Sequence, residues 1–246
     1  MILKKWEDMP EQLRTDAVRP YYDILRKKRG SLLLKRVFDV VVSALMLILI
    51  SPVFLILAIA IKLDSPGPVF YRQTRVTQYG KTFRIFKFRT MVSNADKIGT
   101  QVTVGNDSRI TRVGKLIRKC RLDEISQLID IFWGTMTFVG TRPEVPKYVD
   151  AYTPEMMATL LLPAGVTSLA SIMYKDEDKL LSDAEDVDRA YISEVLPGKM
   201  KYNLQAIRKF SFWGDIKIMF MTVFAVLGKE YREEVDTQNK EKVDIE

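Results

Sequence analysis

Two neighbouring carboxylates, Asp123 and Glu124, are the side chains of this sequence best suited to chemistry. Arg118 precedes them, and Arg142 follows in the segment Gly140-Thr-Arg-Pro-Glu144. The chain has no histidine, which excludes the commonest general base, the triads that need imidazole and most zinc sites. Any catalysis would therefore depend on carboxylates and cations, with or without a hard metal ion. Arginines around the pair predict an anionic substrate, above all a phosphate.

The carboxylate pair is predicted to lie in the first turn of a helix from Leu122 to Phe132, ended by Gly134. There the free N–H groups and the helix dipole favour an ionised carboxylate and a bound phosphate. The alternative is that acidic residues simply favour helix starts. Convergence of arginines on the pair favours an anion or a metal ion at this place. The apolar stripe predicted for this helix is Ile125, Leu128, Ile129 and Phe132.

Two further elements are predicted before the pair. Strands at 69–71 and 83–89 would be joined around Tyr79-Gly80, with Phe83, Ile85 and Phe88 inward. Lys87 and Arg89 would then lie on a polar face, either as anion ligands or as ordinary solvated cations. A helix over 112–119 is predicted to be capped by Thr111. Its apolar stripe is Val113, Leu116 and Ile117.

Composition limits the class of protein. The 246 residues, 47% apolar and 28% charged, suffice for one sizeable core and exclude a disordered chain. The net charge of +7 predicts anionic partners, whether nucleic acid, acidic lipid or phosphorylated metabolites. The single Cys120 excludes an internal disulfide and fits a reducing compartment. We find no cleavable signal and no repeat, and we expect the charged tail at 229–246 to be frayed.

An apolar run from Val37 to Leu63 is long enough to cross a bilayer but is interrupted at Ser51-Pro52. Proline removes a backbone donor and clashes with the carbonyl of Ile48, so the helix should kink there. Both flanks are basic, which places both on the cytoplasmic side and disfavours a single span. We therefore predict a re-entrant hairpin over 37–63. A spanning helix and a buried core helix are the alternatives.

The segments at either end of the sequence are amphipathic. Residues 1–36 are basic with interspersed apolar side chains, and they could lie on a membrane surface or form a solvated helix. The apolar segment from Ile216 to Leu227 is too short to span a bilayer, so it is an interfacial or a core helix. That helix could pack against the membrane, the core or a second copy, which leaves a homodimer open.

Several motifs together resemble the bacterial sugar transferases, also called monotopic phosphoglycosyl transferases. The resemblance covers about Arg36 to Leu227, and its specificity comes from the ordered set. The motifs are Arg36-Val-Phe-Asp39, Ser51-Pro52, Ser65-Pro-Gly-Pro68, Gln73-x-Arg75, Lys87-Phe-Arg-Thr-Met91, Arg109-Ile-Thr-Arg-Val-Gly114, Leu122-Asp-Glu-x-x-Gln-Leu128, Phe138-Val-Gly-x-Arg-Pro143 and Ser211-Phe-Trp-x-Asp-Ile-Lys217.

The resemblance implies a reaction and a place for it. Asp123 would attack the sugar-linked phosphorus of a UDP-sugar, releasing UMP and leaving a phosphosugar that polyprenyl (undecaprenyl) phosphate then accepts. It implies Mg²⁺ held by Glu124 and Asp123. Arg118 and Arg142 match positions that hold phosphate or nucleotide, and Lys87 and Arg89 match a basic strand nearby. The implied location is the cytoplasmic face of the bacterial inner membrane.

The predicted fold class is therefore α+β and mostly helical. A re-entrant membrane hairpin would precede a small cytoplasmic catalytic domain at 64–228, with a short β-hairpin and surface amphipathic helices. Departures from the family pattern include Ile125-Ser126, where Leu-Pro is frequent, and Pro163-Ala-Gly-Val-Thr-Ser168, where Pro-Gly-Ile-Thr-Gly is common. The second departure bears on sugar choice, which the sequence does not specify.

Two rival functions remain open at this point. One is a non-catalytic, membrane-anchored binder of anionic lipid or nucleic acid. The tightest basic cluster surrounds Asp123 and Glu124, which would repel a nucleic-acid backbone, so no nucleic acid is expected. The other rival is an inactive, scaffold-like relative, which the presence of Asp123, Glu124, Arg118 and Arg142 disfavours.

Overall fold

The computed structural model describes residues 3–95, 107–177, 181, 186–228 and 231. In this part of the chain the architecture is mostly helical, with two small two-stranded sheets, as predicted for an α+β protein. Almost all of the predicted charged tail lies outside the described residues. The helices are α1 (Arg19–Lys27), α2 (Arg29–Leu49), α3 (Ser51–Asp64), α4 (Arg112–Lys119), α5 (Leu128–Trp133), α6 (Pro146–Val149), α7 (Leu169–Met173), α8 (Val187–Ala190), α9 (Leu196–Arg208) and α10 (Phe212–Val226).

Four strands form the two sheets. Strands β1 (Phe70–Val76) and β2 (Thr82–Phe88) are an antiparallel hairpin, and β3 (Met136–Val139) runs parallel to β4 (Ala164–Thr167). The predicted hairpin and the inward positions of Ile85 and Phe88 are confirmed. Short 3₁₀ helices lie at Trp6–Asp8, Glu11–Leu13, Gln78–Gly80, Leu122–Gln127 and Met156–Leu161, and a π-helical turn lies at Tyr191–Val195.

Helices α2 and α3 meet at a bend of 61°. Pro52 lies at the start of α3, and the Ser51 hydroxyl donates to the Ile48 carbonyl at 2.8 Å. The predicted break at Ser51-Pro52 is therefore confirmed, with the freed carbonyl satisfied by the neighbouring serine. Among the described helices none alone has the length and apolar character to cross a membrane, and only the bent pair meets that test jointly.

The first half of α2 is attached to the protein by two buried charges. The Lys35 ammonium donates to the Val139 carbonyl at 2.8 Å and to Asp215 at 2.6 Å. The Asp39 carboxylate accepts from the Thr137 hydroxyl at 2.7 Å. These partners explain why α2 begins at residue 29, ahead of the predicted boundary at 37. Its polar half packs on β3, and only its later turns present apolar side chains on most sides.

A wide apolar surface covers the outer side of α2, α3 and α10. Leu49, Leu63 and Trp213 are 78, 83 and 76% exposed. No residue of α10 is fully buried, but Ile218 and Met219 pack against an apolar core cluster, so the core-packing alternative holds for its inner face and not for its outer face. Other exposed members are Leu45, Ile48, Leu55, Ile56, Ile59, Phe220, Val223, Phe224 and Val226; Trp133 on α5 and Leu227 just after α10 are also exposed.

The N-terminal segment packs into the core, so both expectations for it, a membrane-surface helix and a solvated helix, are wrong. Leu13, Val18 and Leu25 are fully buried together with Ala158 and Leu161. Polar contacts hold the segment in place: the Lys4 backbone N–H donates to the Tyr79 hydroxyl at 3.1 Å, and the Tyr21 hydroxyl donates to Glu155 at 2.5 Å. Its apolar side chains are therefore covered by protein.

Two predicted apolar stripes differ from the structure. In α4 the Thr111 cap is confirmed, because its hydroxyl accepts from the Gly114 N–H, but Leu116 is 63% exposed. Ile117 is buried in the apolar cluster of α3, and Val113 is half-buried against the same cluster, so these two predicted positions are confirmed. The helix predicted after α4 begins at Leu122 and ends before Gly134, as expected. Its first turns, however, are a 3₁₀ helix.

The 3₁₀ turns change which face of the next helix is buried. A 3₁₀ helix has 3.0 residues per turn instead of 3.6, which rotates the side chains that follow. Ile131 is therefore fully buried in place of Phe132, which is 38% exposed. Leu128 is buried as predicted, whereas Ile129 is half-buried.

Candidate active site

Asp123 and Glu124 lie on the 3₁₀ helix Leu122–Gln127, directly after α4. The chain turns between the two helices at Arg121, whose φ of 54° is in the left-handed region. That conformation costs free energy for a residue other than glycine and often marks a functional segment. The turn places both carboxylates at the start of the new helix, as the sequence predicted.

Glu124 is held by two cations. Its Oε1 accepts from Arg142 Nη2 at 2.5 Å and from Lys87 Nζ at 3.2 Å. Burial alone would raise the pKa of Glu124, but the Arg142 and Lys87 charges outweigh burial and lower this pKa below its usual range. Glu124 is therefore an anion at neutral pH, and its position is fixed by β2 and by the loop after β3.

Asp123 has a different environment although it is adjacent in sequence. Within the described part of the chain no other side chain donates a hydrogen bond to its carboxylate. Burial raises the pKa of Asp123, the Lys87 ammonium opposes this, and the Glu124 charge raises the pKa again. A carboxylate with a raised pKa is more basic, and with no side-chain partner it is free to react.

Arg118 lies at the end of α4, near the pair. It is half-buried, and among the residues described it forms no ion pair, yet its charge lowers the pKa of both Asp123 and Asp107. The structure therefore brings together Lys87, Arg118, Asp123, Glu124 and Arg142. Arg118 retains unused donors for an anion.

Arg89 does not join this group. It is 5% exposed, and its guanidinium donates to the Pro66 carbonyl at 2.9 Å and to the Ser65 carbonyl at 2.6 Å. Its expected role as a substrate ligand is not supported, because these bonds bind it to the end of α3. Arg89 instead attaches the end of β2 to the bent helix pair α2–α3, which contains the break at Ser51 and Pro52.

The loop carrying Arg142 is supported from behind by β4. The Gly165 N–H donates to the Thr141 carbonyl at 2.8 Å, and the Gly140 N–H donates to the Thr167 carbonyl at 2.9 Å. A Cβ on Gly165 would lie 2.1 Å from the Gly140 nitrogen, so only glycine allows this approach. The segment that departs from the family pattern therefore has a structural role in holding the Arg142 loop.

A buried polar network beside Arg142 was missed from the sequence. The Tyr191 hydroxyl donates to Glu144 at 2.6 Å and accepts from Lys199 Nζ at 2.9 Å. Arg75 donates to the Pro143 carbonyl at 3.1 Å. Glu144 and Arg75 belong to quoted motifs, but no sequence signal pairs them with Tyr191 or Lys199.

The free carboxylate oxygens of the pair fit a metal ion that is shared with substrate and water. In the part of the chain that the structure describes, no three acidic or cysteine side chains cluster as metal ligands. Both hydrogen bonds to Glu124 use one oxygen, Oε1, so its second oxygen and the Asp123 carboxylate are available. Mg²⁺ is commonly bound by one or two carboxylates together with substrate phosphates and water. The donor set fits that arrangement.

Comparison with known proteins defines the class. Residues 30–229 match the bacterial sugar transferases, and the chain belongs to this family. It is 40% identical over 87% of its length to the UDP-glucose:undecaprenyl-phosphate glucose-1-phosphate transferase of Escherichia coli, and spans 44% of that protein. The protein of the same name from Caulobacter vibrioides is 36% identical over 78% of the chain and 69% of its own length.

A relative from Aeromonas hydrophila is named for a different sugar. It is the UDP-N-acetylgalactosamine-undecaprenyl-phosphate N-acetylgalactosaminephosphotransferase, 35% identical over 79% of this chain and 44% of its own length. The chain thus spans less than half of the Escherichia coli and Aeromonas proteins that it matches. The relatives share undecaprenyl phosphate in their names and differ in the sugar.

Proposed function

We propose that this protein transfers a sugar-1-phosphate from a UDP-sugar to undecaprenyl phosphate. The observation that carries the proposal is the contrast within the carboxylate pair: Glu124 is held by Arg142 and Lys87, whereas Asp123 has no side-chain partner in the described structure. One carboxylate is a fixed anion and its neighbour is a free nucleophile. The names of the relatives supply the substrate class.

The reaction proceeds in two displacements at phosphorus. An Asp123 oxygen attacks the phosphorus that bears the sugar, forming an acyl phosphate and breaking the bond to the bridging oxygen, which leaves with UMP. An oxygen of undecaprenyl phosphate then attacks the same phosphorus and returns the electron pair to Asp123. The product is a diphosphate-linked sugar, and the carboxylate is regenerated.

The surrounding cations stabilise the charge that develops. Arg118 has free donors for phosphate oxygens, and Arg142 and Lys87 keep Glu124 ionised beside the reacting centre. Mg²⁺ would be held by Glu124 and Asp123 together with the diphosphate, and when bound it neutralises the leaving group. The structure contributes the position of each of these side chains relative to the others.

The same proposal places the protein on the cytoplasmic face of the bacterial inner membrane. The bent pair α2–α3 would enter and leave the bilayer by that face, with its apolar outer side in the lipid. The exposed apolar side of α10 and Trp213 would lie at the interface, where tryptophan is enriched. This arrangement presents the carboxylate pair to a phosphate at the membrane surface.

A transfer assay tests the proposal. Purified protein in detergent receives Mg²⁺, undecaprenyl phosphate and a panel of UDP-sugars, and lipid-linked product and UMP are measured. Asp123→Asn should lower transfer by at least about a thousandfold, while Asp23→Asn, at the exposed pair with Arg19, should keep it. Transfer that survives Asp123→Asn would refute the assigned nucleophile. Absence of transfer with every donor tested would contradict the proposed activity.

A further inference from the structure

The backbone N–H and carbonyl of Phe86 are both held by side chains: Ser126 of the 3₁₀ helix that carries the carboxylate pair, and Asp130 of α5, which follows it. The Asp130 Oδ2 accepts from the Phe86 N–H at 2.8 Å, and the Ser126 hydroxyl donates to the Phe86 carbonyl at 3.1 Å. Ser126 is fully buried and Asp130 is 3% exposed. Phe86 lies on β2, directly before Lys87.

This contact occurs at the free edge of a two-stranded sheet. Strand β2 pairs only with β1 in the described structure, so its outer backbone groups need other partners. Ser126 and Asp130 are four residues apart and supply one donor and one acceptor to a single residue. The two elements are therefore joined by polar contacts of defined geometry as well as by apolar packing.

The two hydrogen bonds to Phe86 lie next to an ion pair between the same two elements. Lys87 follows Phe86, and Glu124 precedes Ser126 by two residues; their side chains meet at 3.2 Å. Any slip of β2 along the helix would move the Lys87 ammonium relative to Glu124 and Asp123. The two bonds to Phe86 oppose that slip, since each would have to break.

We propose that Ser126 and Asp130 are positioning residues: by holding the Phe86 backbone they place Lys87 against Glu124 for the reaction. The inference rests on the proposed function insofar as Lys87 and Glu124 serve the transfer. Neither Ser126 nor Asp130 touches the substrate in this scheme. Asp130 acts on the rate through Phe86 and Lys87, whereas the Ser126 hydroxyl also donates to the Asp123 carbonyl at 3.2 Å.

Kinetics of single and double variants test that route. Ser126→Ala should lower kcat for transfer roughly fivefold, the equivalent of one neutral hydrogen bond. Asp130→Ala should lower it roughly thirtyfold, because the acceptor is ionised. Asp130→Asn keeps an acceptor oxygen, although a neutral one, and should recover most of the loss, to within about sixfold of wild type. KM for the UDP-sugar should change less than kcat in each case.

Double variants distinguish the loss of Lys87 positioning from a general loss of protein stability. In a Lys87→Met background, Asp130→Ala should cause almost no further loss, because the group that Asp130 positions through Phe86 is gone. Ser43→Ala is the matched control for the single serine variant, since Ser43 is also fully buried and donates to a nearby carbonyl, that of Val40. An equal loss from Asp130→Ala with and without Lys87, or a Lys87→Met variant with wild-type kcat, would overturn the proposal.

A labelling experiment gives a readout that does not depend on activity. Brief exposure to an amine reagent, followed by mass spectrometry, measures the reactivity of the Lys87 ammonium. It should rise at least about threefold in Asp130→Ala and stay at the wild-type level in Asp130→Asn. Unchanged Lys87 reactivity in Asp130→Ala would overturn the positioning role even in an active enzyme. If wild type shows no transfer, the proposed function fails and labelling alone decides this inference.

Discussion

Replacing a buried carboxylate by its amide should stabilise this protein at neutral pH. Burial raises the pKa of Asp130 from the usual 3.8 to about 6, against the opposing hydrogen bond from the Phe86 N–H. The folded state therefore holds the ionised form at a cost. Asp130→Asn removes that charge and keeps an oxygen that can accept from Phe86.

The size of the effect follows from the pKa. A rise of about two units corresponds to about 3 kcal/mol of penalty on the ionised form. Burial of the new amide offsets part of this gain, because an amide must also be desolvated. We expect a net stabilisation of about 1 to 2 kcal/mol, or a rise in Tm of roughly 2 to 8 °C for a chain of this size.

The pH dependence has a definite sign. Because the folded-state pKa of Asp130 lies above the unfolded value, wild type gains stability as pH falls from about 6 to about 4 and the carboxylate is protonated. The advantage of Asp130→Asn should therefore be complete above about pH 6 and absent below about pH 4. Thermal unfolding followed by circular dichroism in a non-ionic detergent, at both pH extremes, measures it.

The control for this experiment is Asp23→Asn. Asp23 is 43% exposed and pairs with Arg19 on the surface of α1, so the change should shift stability by less than about 0.5 kcal/mol at either pH. A lower Tm for Asp130→Asn at pH 8 would show that the charge strengthens the bond to Phe86 more than burial penalises it. A gain that persists at low pH would refute the assigned cause.

Three other changes have expected outcomes. Arg142→Met should lower the free energy of unfolding by about 1 to 3 kcal/mol near neutral pH, and less in acid, because the cations of the site lower the pKa of Glu124 in the folded state only; chemical denaturation at two pH values checks both. Lys35→Met leaves Asp215 buried without its ammonium and should cost about 3 kcal/mol, measured in the same way; no loss would contradict the attachment of α2. Pro52→Ala should reduce the 61° bend, which distances between spin labels on α2 and α3 would reveal, and an unchanged distance would assign the bend to packing.

Local chemistry made some parts of this molecule predictable from sequence. Proline at residue 52 breaks a helix whatever surrounds it, and the Ser51 hydroxyl bonds the carbonyl of Ile48 that the proline displaces. Thr111 and Gly134 likewise act on their own helix ends. The carboxylate pair with its arginines was visible because the residues are close together in the chain.

Other parts depended on contacts far apart in sequence. The N-terminal segment has the amphipathic pattern of a surface helix, and the pattern does not say whether lipid, water or protein covers its apolar side. Arg89 resembles its neighbour Lys87 in charge, but the end of α3 binds the guanidinium first. The bond from Tyr191 to Glu144 joins residues that no local motif connects. The 3₁₀ turns after Arg121 changed which side chains of the following helix are buried, and the periodicity of a regular α-helix does not predict that change.

The central claim is that Asp123 carries the sugar phosphate between the two substrates. Intact-protein mass spectrometry tests it directly: detergent-solubilised protein is incubated with Mg²⁺ and each UDP-sugar in turn, without undecaprenyl phosphate. The account predicts a mass increase of one phosphosugar with a single donor or a few, lost in Asp123→Asn and discharged when undecaprenyl phosphate is added. Transfer to the lipid by a protein that never acquires the adduct, or an adduct that persists in Asp123→Asn, would contradict it.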